Sequence, residues 1–371
     1  MLVRRRRYLA AVVLALIATP LLAGLIKPDG EASILAEGRR FALAPTMPAS
    51  LAELIALPGR IDAYLKDHFG LRRAMIRAHA DLTRPLLGGG RMVMVGRDGR
   101  MFYLGDEMVR QSAGLVLRDR KVAETANFVA EMREALDHLG IRFLVAVPPN
   151  ASTVYQEDLP LWAQNRDRRT EYDLFLAALA GRNVMAVDLR PAVAAARPEG
   201  DVFYRHDTHW TGRGALAAFN AIVEADGHPD WRLEAEKALG SPSVRKGGDL
   251  IRMLGADENA TEMVQDLNLP ADARQEILSQ GKLQDYLLVS AAAGPTVIVL
   301  GDSFTASYFP PMLSRHVARA VWLFHKYCGF DWKWIDTLHP DEVWWMPTER
   351  ALFCEPNTRP SNFAAENAAL R

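Results

Sequence analysis

The chain has 371 residues, 49% hydrophobic, 24% charged and 8% aromatic, which excludes a mainly disordered chain, a collagen-like fibre and a disulfide-dense mini-protein. Lysine and arginine number 44 against 45 acidic residues, a net charge of −1, so no bulk basic field points to a nucleic-acid partner. The balance is uneven along the chain: residues 1–27 hold Arg4, Arg5, Arg6, Arg7 and Lys27 and no acid, which leaves 39 basic against 45 acidic residues in 28–371.

The first element follows the arginine cluster. Tyr8 to Ile26 is an uncharged, apolar run of nineteen residues. As a helix rising about 1.5 Å per residue it just spans a hydrocarbon core of about 30 Å. The arginines should stay cytoplasmic and send everything after Lys27 outward, and Pro20 is tolerable near the far end of such a helix. This reading gives a single-pass anchor in an inner membrane with the domain in the periplasm. The other reading is a signal peptide cleaved near Leu22-Ala23-Gly24, which leaves a soluble periplasmic protein.

Residues 28–60 read as a linker with short helical pieces. Ile61 to Leu87 is helical and amphipathic, up to Gly88-Gly89-Gly90. Met92–Val95 and Met101–Leu104 flank a turn at Gly96-Arg97-Asp98-Gly99 and predict a hairpin. Arg118 to Leu139 places Val122, Val129, Met132, Leu136 and Leu139 on one helical face, ending at Gly140. Ile141 to Val147 is an apolar run stopped by Pro148-Pro149-Asn150, as in a buried parallel strand. Tyr172 to Ala180 is helical, Asn183 to Leu189 a short strand, and a helix starts at Thr211. Thr296 to Leu300 is the clearest strand. It runs into Gly301-Asp302-Ser303-Phe304, then a helix around Met312 to Ala320, and Val343 to Met346 is a last strand. Residues 232–290, acidic and weakly periodic, read as an insertion or lid. The expected fold is α/β, a parallel sheet with helices on both faces over residues 61–355, followed by a tail at 356–371.

Open α/β sheets place their sites outside the carboxyl ends of the strands. Three such ends carry suitable side chains. Ser303 sits on a strand-to-helix turn, where its hydroxyl would need a base to act as a nucleophile. Asp207 and His209, two residues apart, can project to one side, so that the carboxylate fixes the imidazole and the other ring nitrogen takes the serine proton. A base of this kind must be neutral, so activity should fall as the pH drops below roughly 6–7. Asn150 can donate to an oxyanion. Plainer readings stand beside these: a helix N-cap for Ser303, a surface loop pair or half-filled metal site (with His206) for Asp207 and His209, and turn chemistry for Asn150. No further His/Cys/Glu cluster at ligand spacing supports a metal, so none is expected. Cys328 and Cys354 either pair in an oxidising compartment or stand as two buried thiols.

Together, Gly301-Asp302-Ser303, Asp207-Thr208-His209-Trp210 and Asn150 resemble the SGNH (GDSL-type) esterase and acyltransferase superfamily. The order, with the serine last, is similar to the alginate O-acetyltransferase family of periplasmic enzymes that acetylate exported polysaccharides. Further stretches agree: Phe69-Gly70-Leu71-Arg72, Val95-Gly96-Arg97-Asp98-Gly99, Val147-Pro148-Pro149-Asn150 with Thr153-Val154-Tyr155 and Leu159-Pro160, Lys246-Gly247-Gly248-Asp249-Leu250, and Thr348-Glu349-Arg350. The likeness covers roughly residues 60–350. It departs at Ala151, where relatives often carry Lys, and the chain looks like the shorter, membrane-anchored form without an appended carbohydrate-binding module.

The resemblance implies an SGNH-like fold and a Ser303–His209–Asp207 triad that moves acetyl groups onto a polysaccharide acceptor. It also implies a membrane-bound O-acyltransferase partner as acetyl donor and no cofactor, and it adds Gly248 to Asn150 as an oxyanion candidate. A carbohydrate acetyl esterase and a non-catalytic subunit of an export complex are the alternative functions. If the polymer is acidic, local cations must hold it, and Arg205, Arg245 and Lys246 are the first candidates. Trp332 and Trp334 are candidate sugar-stacking residues, although core packing is the simpler role for tryptophans here. Tyr327 and Lys326 share their segment.

Overall fold

The computed structural model describes Thr19 and residues 44–48, 50–67, 92–255, 259–270, 272–279, 283–325 and 328–353. The expected membrane segment, apart from Thr19, lies outside these residues, as do Tyr327, Lys326, Cys354 and the C-terminal tail. Among the described residues no helix is long and apolar enough to cross a membrane.

The chain divides into two compact units, residues 1–93 with 247–260 and residues 94–246 with 261–371. In the first, a helix over Leu51–Asp67 begins inside the stretch expected to be linker, and a short helix over Asp249–Leu254 follows Gly248.

The expected hairpin forms from β1 (Val93–Val95) and β2 (Met101–Tyr103). The second unit is built on a seven-stranded sheet. Its strands are β3 (Arg142–Ala146), β4 (Ala186–Val187), β7 (Arg274–Ile277), β8 (Tyr286–Val289), β9 (Thr296–Gly301), β10 (Arg319–Phe324) and β11 (Glu342–Met346), while β5 (Ser243–Lys246) and β6 (Thr261–Val264) pair apart from it. The order across the sheet is β4-β3-β11-β9-β10-β8-β7. Pairings from β4 to β10 are parallel, whereas β8 and β7 add antiparallel.

The sheet is therefore mixed, not purely parallel as expected. Residues 274–289, inside the stretch read as an insertion or lid, supply its antiparallel edge. Charged Arg274 and Glu276 on the outermost strand suit an edge that must resist further pairing. A second correction concerns Arg319 and Ala320, read as the end of a helix around Met312 to Ala320 but the start of β10. Ala320 to Leu323 are buried in β10, because a parallel strand covered on both faces reads as a continuous apolar run.

Strand alternation sorts the core into two layers. Val297 and Val299 of β9 face a layer with Trp210, Phe219, Phe304, Phe309 and Trp344, covered by the helix Gly212–Ala225. Ile298 and Leu300 face the opposite layer with Phe128, Met132, Phe175 and Trp345, covered by the helices Asp119–His138 and Glu171–Ala180. Trp344 and Trp345 thus fall on opposite faces, as adjacent strand residues must. The helix Asp119–His138 buries Val122, Val129, Met132 and Leu136 as its periodicity requires, while Leu139 is exposed. Gly140 ends it at φ +73°, a left-handed position that glycine adopts without a Cβ penalty. Thr170 and Asp173 close a reciprocal cap on the helix Glu171–Ala180.

Candidate active site

β9 delivers the serine. Its last residue, Gly301, pairs with Phe324 of β10 and Met346 of β11, so the turn leaves from the middle of the sheet. Asp302, not Ser303, caps the helix Ser303–Ala306: Oδ1 accepts from the Phe304 N–H at 3.0 Å. Oδ2 accepts from the backbone N–H and the hydroxyl of Thr348 at 3.0 and 2.7 Å, which ties the turn to the chain beyond β11. The Ser303 hydroxyl is thereby spared the capping role. Position 301, two residues before it, suits glycine, since a Cβ there would lie 1.9 Å from Thr305 Oγ1 and force a shift.

The base arrives on a tight loop. Phe203 and Trp210 form an antiparallel bridge, and Tyr204 N–H donates to the His209 carbonyl at 3.1 Å. This projects Asp207 and His209 from the loop between them. Trp210 Nε1 donates to the Phe304 carbonyl at 2.8 Å, locking the loop to the serine turn, and the Phe304 ring lies 4.9 Å from the imidazole. The result is a continuous relay: His209 Nε2 lies 2.8 Å from Ser303 Oγ, and His209 Nδ1 lies 2.7 Å from Asp207 Oδ1.

Asp207 is buried and holds a second partner, because Arg245 Nη2 donates to its Oδ2 at 2.8 Å. Arg245 is placed by the β5–β6 ladder, where it stands opposite Glu262, and its guanidinium lies 4.0 Å from the centre of the Tyr204 ring. Tyr204 is fixed in turn by Asp266, which accepts from its hydroxyl at 2.6 Å and from that of Tyr308 at 2.9 Å. Burial pushes the Asp207 carboxyl up, but the hydrogen bonds and charges of His209 and Arg245 outweigh it and hold it well below the usual carboxylate range.

Arg245 supports Asp207 and is not free to hold a substrate. Arg205 Nε pairs with Asp201 at 2.9 Å, on the wall of a polar cleft of about 450 Å³ that includes Asp98 and Arg100. Lys246 is exposed at the end of β5. Trp332 is fully buried in the layer opposite Phe304 and serves the core, while Trp334 packs against that same layer and stays partly exposed. Packing decides this for Trp332, because rings on that face have apolar neighbours to fill. Cys328 is buried. Asn150 is buried as well, with Nδ2 3.3 Å from Gln111 Oε1 and its backbone N–H donating to Glu349 Oε2 at 2.8 Å. The geometry gives this amide protein partners and does not carry an oxyanion role. Trp210, Phe304 and Thr348 are positioning residues whose roles sequence reasoning did not assign, although each stands in a stretch it singled out.

Residues 93–345, more than half of the chain, match the family model described as the SGNH hydrolase-like domain of the acetyltransferase AlgX. The chain belongs to this family. It is 29% identical over 178 residues to the "probable alginate O-acetylase AlgJ" of Pseudomonas putida, covering 47% of this chain and 45% of that protein. The chain thus matches about half the length of such relatives. Among solved structures, Bacillus cereus PatB1 shares the fold with a TM-score of 0.52 at 12% identity, over 71% of this chain and 97% of that one. A DHHW family protein from Eubacterium siraeum does so with a TM-score of 0.51 at 14% identity, over 64% and 89%.

Proposed function

We propose that the protein is an O-acetyltransferase that places acetyl groups on hydroxyls of an exported polysaccharide through an acetyl-serine intermediate. The unbroken Asp207–His209–Ser303 relay carries this reading. Ser303 Oγ attacks the acetyl carbonyl of a donor while His209 Nε2 takes the hydroxyl proton. The C–O bond to the donor breaks, His209 returns the proton to the leaving group, and acetyl-Ser303 remains. A sugar hydroxyl then attacks the acetyl carbon, gives its proton to His209, and Ser303 leaves as the free hydroxyl. Asp207 stays ionised throughout and holds the imidazole in the tautomer that presents a bare Nε2. The Ser303 backbone N–H, at the first position of its helix, is among the donors that no intrahelical acceptor claims, and it suits the developing oxyanion.

Family membership and the alginate acetylation named in its relatives support the polysaccharide acceptor. The arginine-flanked run Tyr8–Ile26 supports a site outside an inner membrane, beside a membrane-bound O-acyltransferase that supplies the acetyl group. A periplasmic reporter fused after residue 30 should be active and a cytoplasmic one silent.

The deciding experiment incubates the protein with a small acetyl ester and an oligosaccharide. Transfer to the sugar, an acetyl adduct trapped on Ser303, and loss of both in Ser303→Ala are expected. Acetate release outpacing transfer at saturating acceptor would make the protein an esterase. Wild-type inactivity on every ester and acceptor would make it a non-catalytic subunit.

A further inference from the structure

The edge of the sheet opposite Ser303 holds a second cluster of ionisable groups. The helix Gly212–Ala225 ends at Asp226, whose backbone N–H donates to the Ile222 carbonyl at 2.8 Å. Gly227, at φ +85°, turns the chain, and the His228 N–H donates to the Val223 carbonyl at 2.7 Å. This turn sets Asp226 and His228 beside Glu342, the first residue of β11. One ligand atom from each, two carboxylate oxygens and an imidazole nitrogen, all lie within 4.8 Å of one another. Spacing along the chain gives no sign of this trio, because Glu342 joins it only through the sheet.

The charges in this cluster do not balance. The Asp226 and Glu342 side chains are 2% and 3% exposed, and one guanidinium faces both. Arg142 Nη2 donates to Asp226 Oδ1 at 2.5 Å but stays 3.9 Å from Glu342 Oε1. Asp226 Oδ2 and Glu342 Oε1 are buried and have no hydrogen-bond partner among the described residues. Buried carboxylate oxygens without a donor are costly, so the pair calls for a further positive group. His228 Nε2 lies 4.0 Å from Asp226 Oδ2 and 3.1 Å from Arg142 Nη1. Arginine can only donate, so this nitrogen carries a lone pair, the form a metal binds. Trp231 stacks on the imidazole at 3.9 Å and 7°, which fixes the ring, and the carboxyl end of the helix adds its negative pole.

We propose that Asp226, His228 and Glu342 bind a divalent transition-metal ion of the zinc class, which fastens the end of the helix Gly212–Ala225 to β11. One nitrogen and two carboxylate oxygens suit zinc and leave a fourth position for water, whereas calcium and magnesium take oxygen ligands. Zinc bonds of about 2.0–2.2 Å put tetrahedral ligands about 3.4 Å apart, so the three groups close in by about 1 Å. Arg142 gives up its bonds to Asp226 and His228, and its side chain, 51% exposed, swings into water. The same helix begins directly after the loop that carries His209, so the ion steadies the support of that loop from its far end.

The test is calorimetric titration of zinc chloride into the full chain after treatment with a chelator. One zinc per chain should bind with a Kd of about 1 µM or tighter, and at about a hundredfold excess over Kd the melting temperature should rise by about 5 °C. Glu342→Gln and His228→Gln should each weaken binding at least about tenfold, since even the loss of an outer-shell partner costs about 10- to 100-fold. Arg142→Gln should tighten it about fivefold, the effect of one like charge at about 4 Å in water. Thermal unfolding without zinc checks that each variant is folded; if Glu342→Gln is not, the partly exposed His228 carries the test. No zinc at this affinity, binding that survives the ligand substitutions, or an unmoved affinity in Arg142→Gln overturns the assignment. Absence of zinc binding would leave a proton shared between Asp226 and Glu342 as the compensating charge. The relay stands at the other edge of the sheet, so acetyl transfer is scored separately and neither result decides the other.

Discussion

Arg245 donates to the oxygen of Asp207 that His209 does not use: Oδ1 serves the imidazole at 2.7 Å and Oδ2 the guanidinium at 2.8 Å. The carboxylate is therefore oriented from both ends, and Arg245 acts on the reaction through it. Arg245→Gln should lower kcat by about 10- to 100-fold with little change in KM for a small acetyl ester, as expected when an oriented base loses its support. Removing a positive charge beside Asp207 also favours the imidazolium, so the acid limb of kcat/KM should move to higher pH. Arg245→Lys should restore part of both. A variant with changed stability but an unmoved pH profile would reduce Arg245 to a packing role.

Gly301 and Thr305 give a second prediction. The space a Cβ would need at 301 is taken by Thr305 Oγ1, which donates to the Asp302 carbonyl at 3.1 Å and accepts from Trp322 Nε1 at 2.9 Å. Gly301→Ala must shift the turn or the threonine, at about 1–3 kcal/mol of stability, and should cost at least about tenfold in activity because Ser303 moves with the turn. Adding Thr305→Ala removes the 1.9 Å overlap, leaving Thr305 Cβ at 3.1 Å and Trp322 Nε1 at 3.3 Å, and should return part of the activity, although Trp322 loses its acceptor. Kinetics on the two single variants and the double variant measure this coupling; simple additivity would place the cause elsewhere.

The residues that do the proposed chemistry were legible because each sits at a strand end or tight loop beside recognisable partners, and short-range patterns survive in a sequence. Arg245 was visible as a cation but not as the support of Asp207, 38 residues away, since only the β5–β6 ladder brings it there. Trp332 suggested sugar stacking but fills the core, since an aromatic residue reads the same whether it lines a groove or fills a core. Arg319 and Ala320 read as helix because Phe309–Leu313 is a helix just upstream and no glycine or proline separates the two. The strands 274–277 and 286–289 escaped notice because a one-sided, charged edge lacks the continuous apolar run that marks the central strands.

The pH dependence of activity follows from the two partners of Asp207. Burial opposes its charge, but His209 and Arg245 hold the carboxyl ionised far into the acid range. The carboxylate thus stays charged where the reaction runs, and the base must be a neutral imidazole, since an imidazolium cannot accept the serine proton. We expect kcat/KM to fall on the acid side with a single ionisation, and Asp207→Asn to lose about 10³–10⁴ in kcat through the wrong tautomer. A flat rate between pH 5 and 8 would rule out His209 as the base.

Stability should respond to pH through a different carboxyl. Glu349 is fully buried; Oε2 accepts from the Asn150 N–H at 2.8 Å and the Thr153 hydroxyl at 2.7 Å, and Oε1 has no hydrogen-bond partner. Burial pushes this group up to about 7 against the lowering effect of those two donors. The folded state therefore holds a proton that the unfolded chain releases near pH 4.5. Stability is lost as pH rises from about 4.5, and the loss is complete once the folded group ionises near 7; the full effect is about 3 kcal/mol. Glu349→Gln removes the titration while keeping an oxygen for Asn150 and Thr153. The melting temperature of the wild type relative to this variant should thus drop by about 5–10 °C between pH 5 and pH 8. Parallel melting curves for the two proteins across that interval would show that Glu349 is already ionised in the folded state at pH 5.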